Sequence, residues 1–100
     1  MVKKFDVYFC DVKGHEKPCV VVSPDEMNAT LPYVLIAPIT KALRAFPCRI
    51  GVKLKGQPAQ VAFDMIRSIP RDSLVHRLGH LPDNLQREML DVLKDLFCDK

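Results

Sequence analysis

Hydrophobic positions follow two different periods along this chain. Up to about residue 80 they come in short runs rich in β-branched and aromatic residues. Phe5-Asp6-Val7-Tyr8-Phe9-Cys10 is the first. Cys19-Val20-Val21-Val22 and Tyr33-Val34-Leu35-Ile36-Ala37 are continuous apolar runs, as in strands buried on both faces. Arg49-Ile50-Gly51-Val52-Lys53-Leu54 alternates polar and apolar, the pattern of a half-exposed strand. Gln60-Val61-Ala62-Phe63, Met65-Ile66 and Val75-His76-Arg77-Leu78 complete the strand set. Prolines at 18, 24, 32, 38, 47, 58, 70 and 82 separate these runs and exclude long helices before residue 82. Many short strands with turns between them predict a barrel or sandwich.

Two short helical pieces interrupt the strands. Ser23-Pro24-Asp25-Glu26 predicts one or two turns before Pro32, with Ser23 as N-cap and Pro24 at the first helical position. Arg71-Asp72-Ser73-Leu74 predicts another turn. After residue 82 the period changes. Leu85, Met89, Leu90, Leu93, Leu96 and Phe97 share one helical face, and Asp83 with Gln86 matches a capping box. A helix from about 83 to 97 is expected, its apolar stripe covering the barrel and Arg87, Asp91, Lys94 and Asp95 facing out.

Composition narrows the class. The chain has 100 residues, 48% hydrophobic and 27% charged, enough for one modest core and too few for two domains. No apolar run reaches the ~20 residues of a membrane span. Charge returns within the first six residues, so no signal-peptide pattern forms, and a cytoplasmic protein without membrane contact is expected. Cys10, Cys19, Cys48 and Cys98 lack metal-ligand spacing. They read as small hydrophobes, with Cys98 the exception.

The net charge of +3 is unevenly spread. No acid lies between Glu26 and Asp64, while Lys41, Arg44, Arg49, Lys53 and Lys55 lie there. Such a stretch attracts phosphate backbones, although a solvated loop carries the same pattern. Gly14-His15-Glu16-Lys17-Pro18 groups an imidazole, a carboxylate and an ammonium at a predicted loop tip. A metal-independent ribonuclease needs a base for the ribose 2′-hydroxyl, an acid for the leaving 5′-oxygen and a cation on the phosphorane. A polar hairpin tip is the plainer reading of that tripeptide alone. Thr40 could bond a phosphate or cap its loop. Asp64 could serve in chemistry or sit in a salt bridge. His76 and His80 read as structural.

The order of these pieces resembles the MazF/PemK family of toxin endoribonucleases from bacterial toxin–antitoxin pairs. The matching features are Asp11, Gly14-His15-Glu16, Pro18 to Asn28, Ala37-Pro38-Ile39-Thr40, Phe46-Pro47, Asp64 to Ile69, and Gly79-His80-Leu81-Pro82 before the final helix. The resemblance implies a mainly β fold, an SH3-like barrel of the MazF/Kid/CcdB type over about 1–82 with a C-terminal helix, in a single domain. It implies a homodimer that cleaves single-stranded RNA without metal or cofactor and blocks translation. It implies a cognate antitoxin with an acidic tail that competes for the RNA groove. Carried over, His15, Glu16, Thr40 and Asp64 stand where family members catalyse or touch RNA. In that reading Glu16 or Asp64 is the general base. Lys17 is the acid and phosphorane stabiliser, and His15 and Thr40 orient the phosphate. Arg44, Arg49, Lys53 and Arg67 contact the RNA.

Three departures bear on chemistry. The family loop is longer and ends in an arginine before the proline; here Lys17 stands there and loses the planar fork. Ala62 replaces an arginine that some members carry, and Met65 a common glutamine. The CcdB gyrase poisons share the fold and an Asp-Met like Asp64-Met65. Their gyrase contact uses a C-terminal tryptophan, and this chain has none. A barrel that binds nucleic acid or an antitoxin without catalysis is the third reading.

Overall fold

A computed structural model describes the backbone of residues 1–97 and the side chains of residues 1–95. Two dipeptides make its tightest turns. Strands β1 (Asp6–Val12) and β2 (His15–Val21) are joined by Lys13-Gly14 alone, at φ 52° and 83°. Positive φ at both central residues matches the right-handed twist of the flanking strands. The Gly14 N–H also donates to Asp11 Oδ1 at 3.0 Å. Because the turn is complete at Gly14, the predicted loop 14–18 does not form; His15, Glu16 and Lys17 already belong to β2. Strands β4 (Arg49–Leu54) and β5 (Gln57–Ala62) meet the same way through Lys55-Gly56, at φ 52° and 77°.

Strands β3 (Tyr33–Thr40), β6 (Arg67–Pro70) and β7 (Leu74–His80) complete a seven-stranded sheet of order β4-β5-β3-β2-β1-β7. β6 lies off that path. The first half of β3 pairs with β6 (Val34↔Ile69), its end with β5 (Ile39↔Val61), and its other edge with β2 (Val20↔Ala37). Changing partners along one strand rolls the sheet into a half-barrel, the SH3-like form expected. Helix α2 (Asp83–Phe97) covers one side.

The continuous apolar runs are strands buried on both faces. On β2, Cys19 and Val21 enter one apolar cluster while Val20, and Val22 just past the strand's end, enter another. On β3, Val34 and Ile36 join the first, Ala37 and Ile39 the second. The period of two divides neighbours between two cores. Met89 of α2 is wholly buried in the second cluster, with Leu85, Val92 and Leu93 packed around it. Burying such a side chain contributes ~1.5–3 kcal/mol. Leu90, one step round from Met89, lies at the margin of the stripe and stays 40% exposed. Cys10 and Cys19 are buried free thiols in the first cluster, and Cys48 is a half-buried free thiol. Cys98 and the side chains of Leu96 and Phe97 lie outside the described residues.

Three local expectations are corrected. Ser23 is not an N-cap: Pro24 holds the cap position of α1 (Asp25–Thr30) and no side chain caps that helix. Ser23 is fully buried, and its hydroxyl bonds Asn28 inside the protein. Asp83 and Gln86 do not close a capping box. The Gln86 amide donates instead to the Leu81 carbonyl at 2.7 Å and lies 3.1 Å from His80 Nε2. Met65-Ile66 is not a strand. Phe63–Met65 forms a 3-10 turn anchored by the buried Phe63 ring and by its N–H on the Cys48 carbonyl. The turn expected near Arg71 is present, as 3-10 helix over Arg71–Ser73. His80 has the structural role expected: its Nδ1 lies 2.8 Å from Asp6, a buried carboxylate also held by Arg77 and the Lys3 N–H.

Candidate functional site

The ends of β2 and β3 and the turn after β5 enclose a hollow of about 410 Å³. Lys17 comes from β2, Thr40 and Lys41 from the end of β3, and Met65 from the 3-10 turn. Pro18, Pro38, Ile39 and Leu54 make its apolar floor. Pairing of Cys19 with Pro38 sets the register that carries Lys17 and Thr40 out together on one face. The Thr40 hydroxyl oxygen accepts the Ala42 N–H at 3.1 Å, which leaves its proton free to donate.

Strand geometry sorts the other β2 residues. His15 shares the face of Lys17, and Glu16 lies on the opposite face with Pro18. The three therefore do not converge as a loop tip would let them. Glu16 is exposed and stands across from Asp11 on β1. Among the described residues no hydrogen bond or ion pair holds its carboxylate. Arg67 opens β6 opposite Ile36, exposed and outside the hollow.

Asp64 is engaged. Arg49 Nε donates to Oδ1 at 2.7 Å and a terminal nitrogen donates to Oδ2 at 3.1 Å. This bidentate pair holds the Asp64 carboxyl below the ordinary carboxylate value and the Arg49 guanidinium above its own. A carboxylate so stabilised is a poor proton acceptor near neutral pH. Arg49 also donates to the Ala42 carbonyl at 3.3 Å and lies 5.3 Å from the Phe46 ring centre. Only 7% of its side chain is exposed. It organises the 41–48 segment, with its Nε and both terminal nitrogens each engaged inside the protein. The same segment is clamped at Arg44, whose N–H and carbonyl both bond the Gln60 side chain at 2.9 and 3.0 Å. The Arg44 guanidinium stays exposed, as does Lys53.

Two lysines enter that the sequence reading left unassigned. Lys41 lines the hollow, and Lys55 lines an adjoining one with Phe9, Pro18, Leu54 and Gln57. Lys55 Nζ sits 5.3 Å from the Phe9 ring centre. The acid-free stretch contains both residues, but only the hairpin geometry separates them from Arg44 and Arg49. Among the described residues no three His, Cys, Asp or Glu side chains gather to hold a metal ion, and no helix is long and apolar enough to cross a membrane.

A family model described as PemK-like, MazF-like toxin of type II toxin-antitoxin system matches residues 3–97. The chain belongs to this family. Comparison with curated protein sequences returned no relative. Solved structures agree on the fold of this MazF-like toxin. A mycobacterial endoribonuclease in complex with its cognate antitoxin superposes with a TM-score of 0.89 at 22% identity, covering 100% of this chain and 99% of that one. The Mycobacterium tuberculosis toxin MazF-mt6 gives 0.82 at 21%, covering 92% and 95%. A MazE-MazF structure from Deinococcus radiodurans gives 0.84 at 20%, covering 99% and 97%.

Proposed function

We propose that this toxin is a metal-independent endoribonuclease that cleaves single-stranded RNA in the cytoplasm and so stops translation. The observation that carries this is the hollow at the ends of β2 and β3. Within a MazF-like fold it unites Lys17, Lys41 and Thr40, with no acid among the described residues of its lining. The scissile phosphate binds there. Lys17 and Lys41 neutralise the phosphorane, and the Thr40 hydroxyl donates to a phosphate oxygen. His15, on the face of Lys17, steadies the flanking phosphate. Glu16, which lies outside the hollow's lining and carries no partner among the described residues, takes the ribose 2′-proton from the strand face it shares with Pro18, a residue that does line the hollow. The 2′-oxygen then forms its bond to phosphorus as the 5′-oxygen leaves, protonated by Lys17. The products are a 2′,3′-cyclic phosphate and a 5′-hydroxyl. Arg44, Lys53 and Arg67 draw the RNA backbone by charge. The toxin works as a homodimer and is held in check by an antitoxin, a reading supported by the mycobacterial structural neighbour, which was solved in complex with its own cognate antitoxin.

The test is incubation of folded, antitoxin-free protein with a long RNA in EDTA, followed by analysis of fragment ends. Cyclic phosphate or 3′-phosphate ends at a repeated short sequence are expected. Lys17→Ala should abolish cleavage without unfolding the protein, and Lys17→Arg should retain or raise it. Intact RNA would overturn the reading and turn attention to a protein target.

A further inference from the structure

The catalytic hollow does not end at Leu54. Leu54 also lines the hollow beside Phe9 and a third of about 600 Å³, which runs along the seam between β4 and β7 to Pro82. The first two also share Pro18 and Lys41, and the second and third share Lys55, so the three adjoin along one groove. Lys17 and Lys41 stand at one end, Lys55 at the middle and Lys53 beyond it. Among the described residues, no aspartate or glutamate lines any of the three. A row of cations without acids, on an apolar floor, complements a polyanionic chain rather than a small neutral ligand.

Lys55 is held in place. Its backbone occupies the left-handed region in the Lys55-Gly56 turn, and its ammonium rests over the Phe9 ring at 5.3 Å. The ring holds the charge through its negative face and removes part of the freedom a solvent lysine would lose on binding.

We propose that the RNA path runs from the Lys17–Thr40 hollow over Leu54, and that Lys55 binds a phosphate flanking the one cleaved. Phe9 is its positioning residue. This rests on the ribonuclease reading.

The test measures binding of a mixed-sequence 2′-O-methyl RNA oligonucleotide, which cannot be cleaved because its 2′-oxygen is blocked. Affinity is followed over a salt series. Lys55→Asn is the variant of choice, because Asn-Gly suits the same turn and the hairpin survives. It should weaken binding about fivefold, the scale of one solvent-screened charge contact. It should also flatten the log–log salt slope by ~0.7. Phe9→Leu should weaken binding with the slope kept, since the charge remains. Lys94→Ala, an exposed charge on α2, should change neither. If Lys17→Ala weakens binding while Lys55→Asn changes nothing, this proposal falls and the ribonuclease reading stands. Loss of acidic-peptide binding in that same variant would then assign the groove to a peptide. If the unaltered protein binds no RNA, the ribonuclease reading fails and takes this proposal with it.

Discussion

Replacing Asn28 with alanine tests how the first helix is tied to the sheet. Asn28 is 2% exposed. Its side-chain oxygen accepts from the Ser23 hydroxyl, and its amide donates to the Ser23 carbonyl at 3.0 Å. The Ser23 oxygen accepts the Leu35 N–H of β3 at 3.2 Å. One buried pair thus joins the loop, the helix and the central strand. Alanine would leave the Ser23 hydroxyl proton and carbonyl without partners. Each orphaned buried group costs ~1–3 kcal/mol, and alanine returns at most ~0.7 kcal/mol in helix propensity. A net loss of ~1–5 kcal/mol follows from those two magnitudes. Even ~1 kcal/mol lowers Tm by ~4–8 °C in a domain of this size. Urea unfolding followed by circular dichroism, at fixed protein concentration, reads the loss as a lower midpoint at unchanged m. A helix capped by Ser23 would behave in the opposite way. Ser23→Ala would then cost ~1 kcal/mol, and Asn28→Ala would be silent or stabilising. A loss below ~0.5 kcal/mol for Asn28→Ala refutes the buried-network argument.

Other expectations are independent of that one. Glu16→Gln should lower single-turnover cleavage by ~10²–10⁴-fold, whereas Asp64→Asn should cost far less; the reverse order would return the base to Asp64. Asp64→Asn should instead speed amide hydrogen exchange at Ala42 and Arg44, because it releases Arg49 from one of its anchors. Met89→Ala, wholly buried under the sheet, should destabilise by ~2–5 kcal/mol in the same urea assay. Stability should also fall in acid. Burial alone would raise the Asp6 carboxyl, but His80, the Lys3 N–H and Arg77 outweigh it and hold it below 3.8, while Arg49 holds Asp64 low. Groups with depressed folded values bind fewer protons folded than unfolded. Their contribution is therefore present above 3.8 and disappears as pH falls through the lowered values. Asp6→Asn should make the acid limb of a stability–pH curve shallower, and an unchanged limb would contradict the assignment.

Much of the architecture was already present in local pattern. The helix expected over about 83–97 forms at Asp83–Phe97, because a fifteen-residue apolar stripe overdetermines its period. The runs at Cys19–Val22 and Tyr33–Ala37 are strands buried on both faces, because β-branched side chains in a row fit only a strand between two cores. Local pattern misled where a residue's partner came from elsewhere. Ser23 carries the letters of an N-cap, yet burial turned its hydroxyl inward to Asn28 and Leu35. The polar Gly14–Pro18 run reads as a loop, yet a turn of Lys13-Gly14 sends His15, Glu16 and Lys17 to alternating faces.

The site divides along the same line. Sequence alone determined that a basic, acid-free stretch follows β3 and that Thr40 ends that strand, but it put Lys17 in a loop tip where the structure has it within β2. It determined the stretch and the strand end because charge and period are local properties, written in consecutive residues. Tertiary structure decided which cations are free. Arg49 is consumed by Asp64, fifteen positions away, and Lys55 is brought over Phe9 by a hairpin from another part of the sheet. A charge's availability depends on what folds against it, and that is fixed by register and sheet curvature rather than by the order of residues.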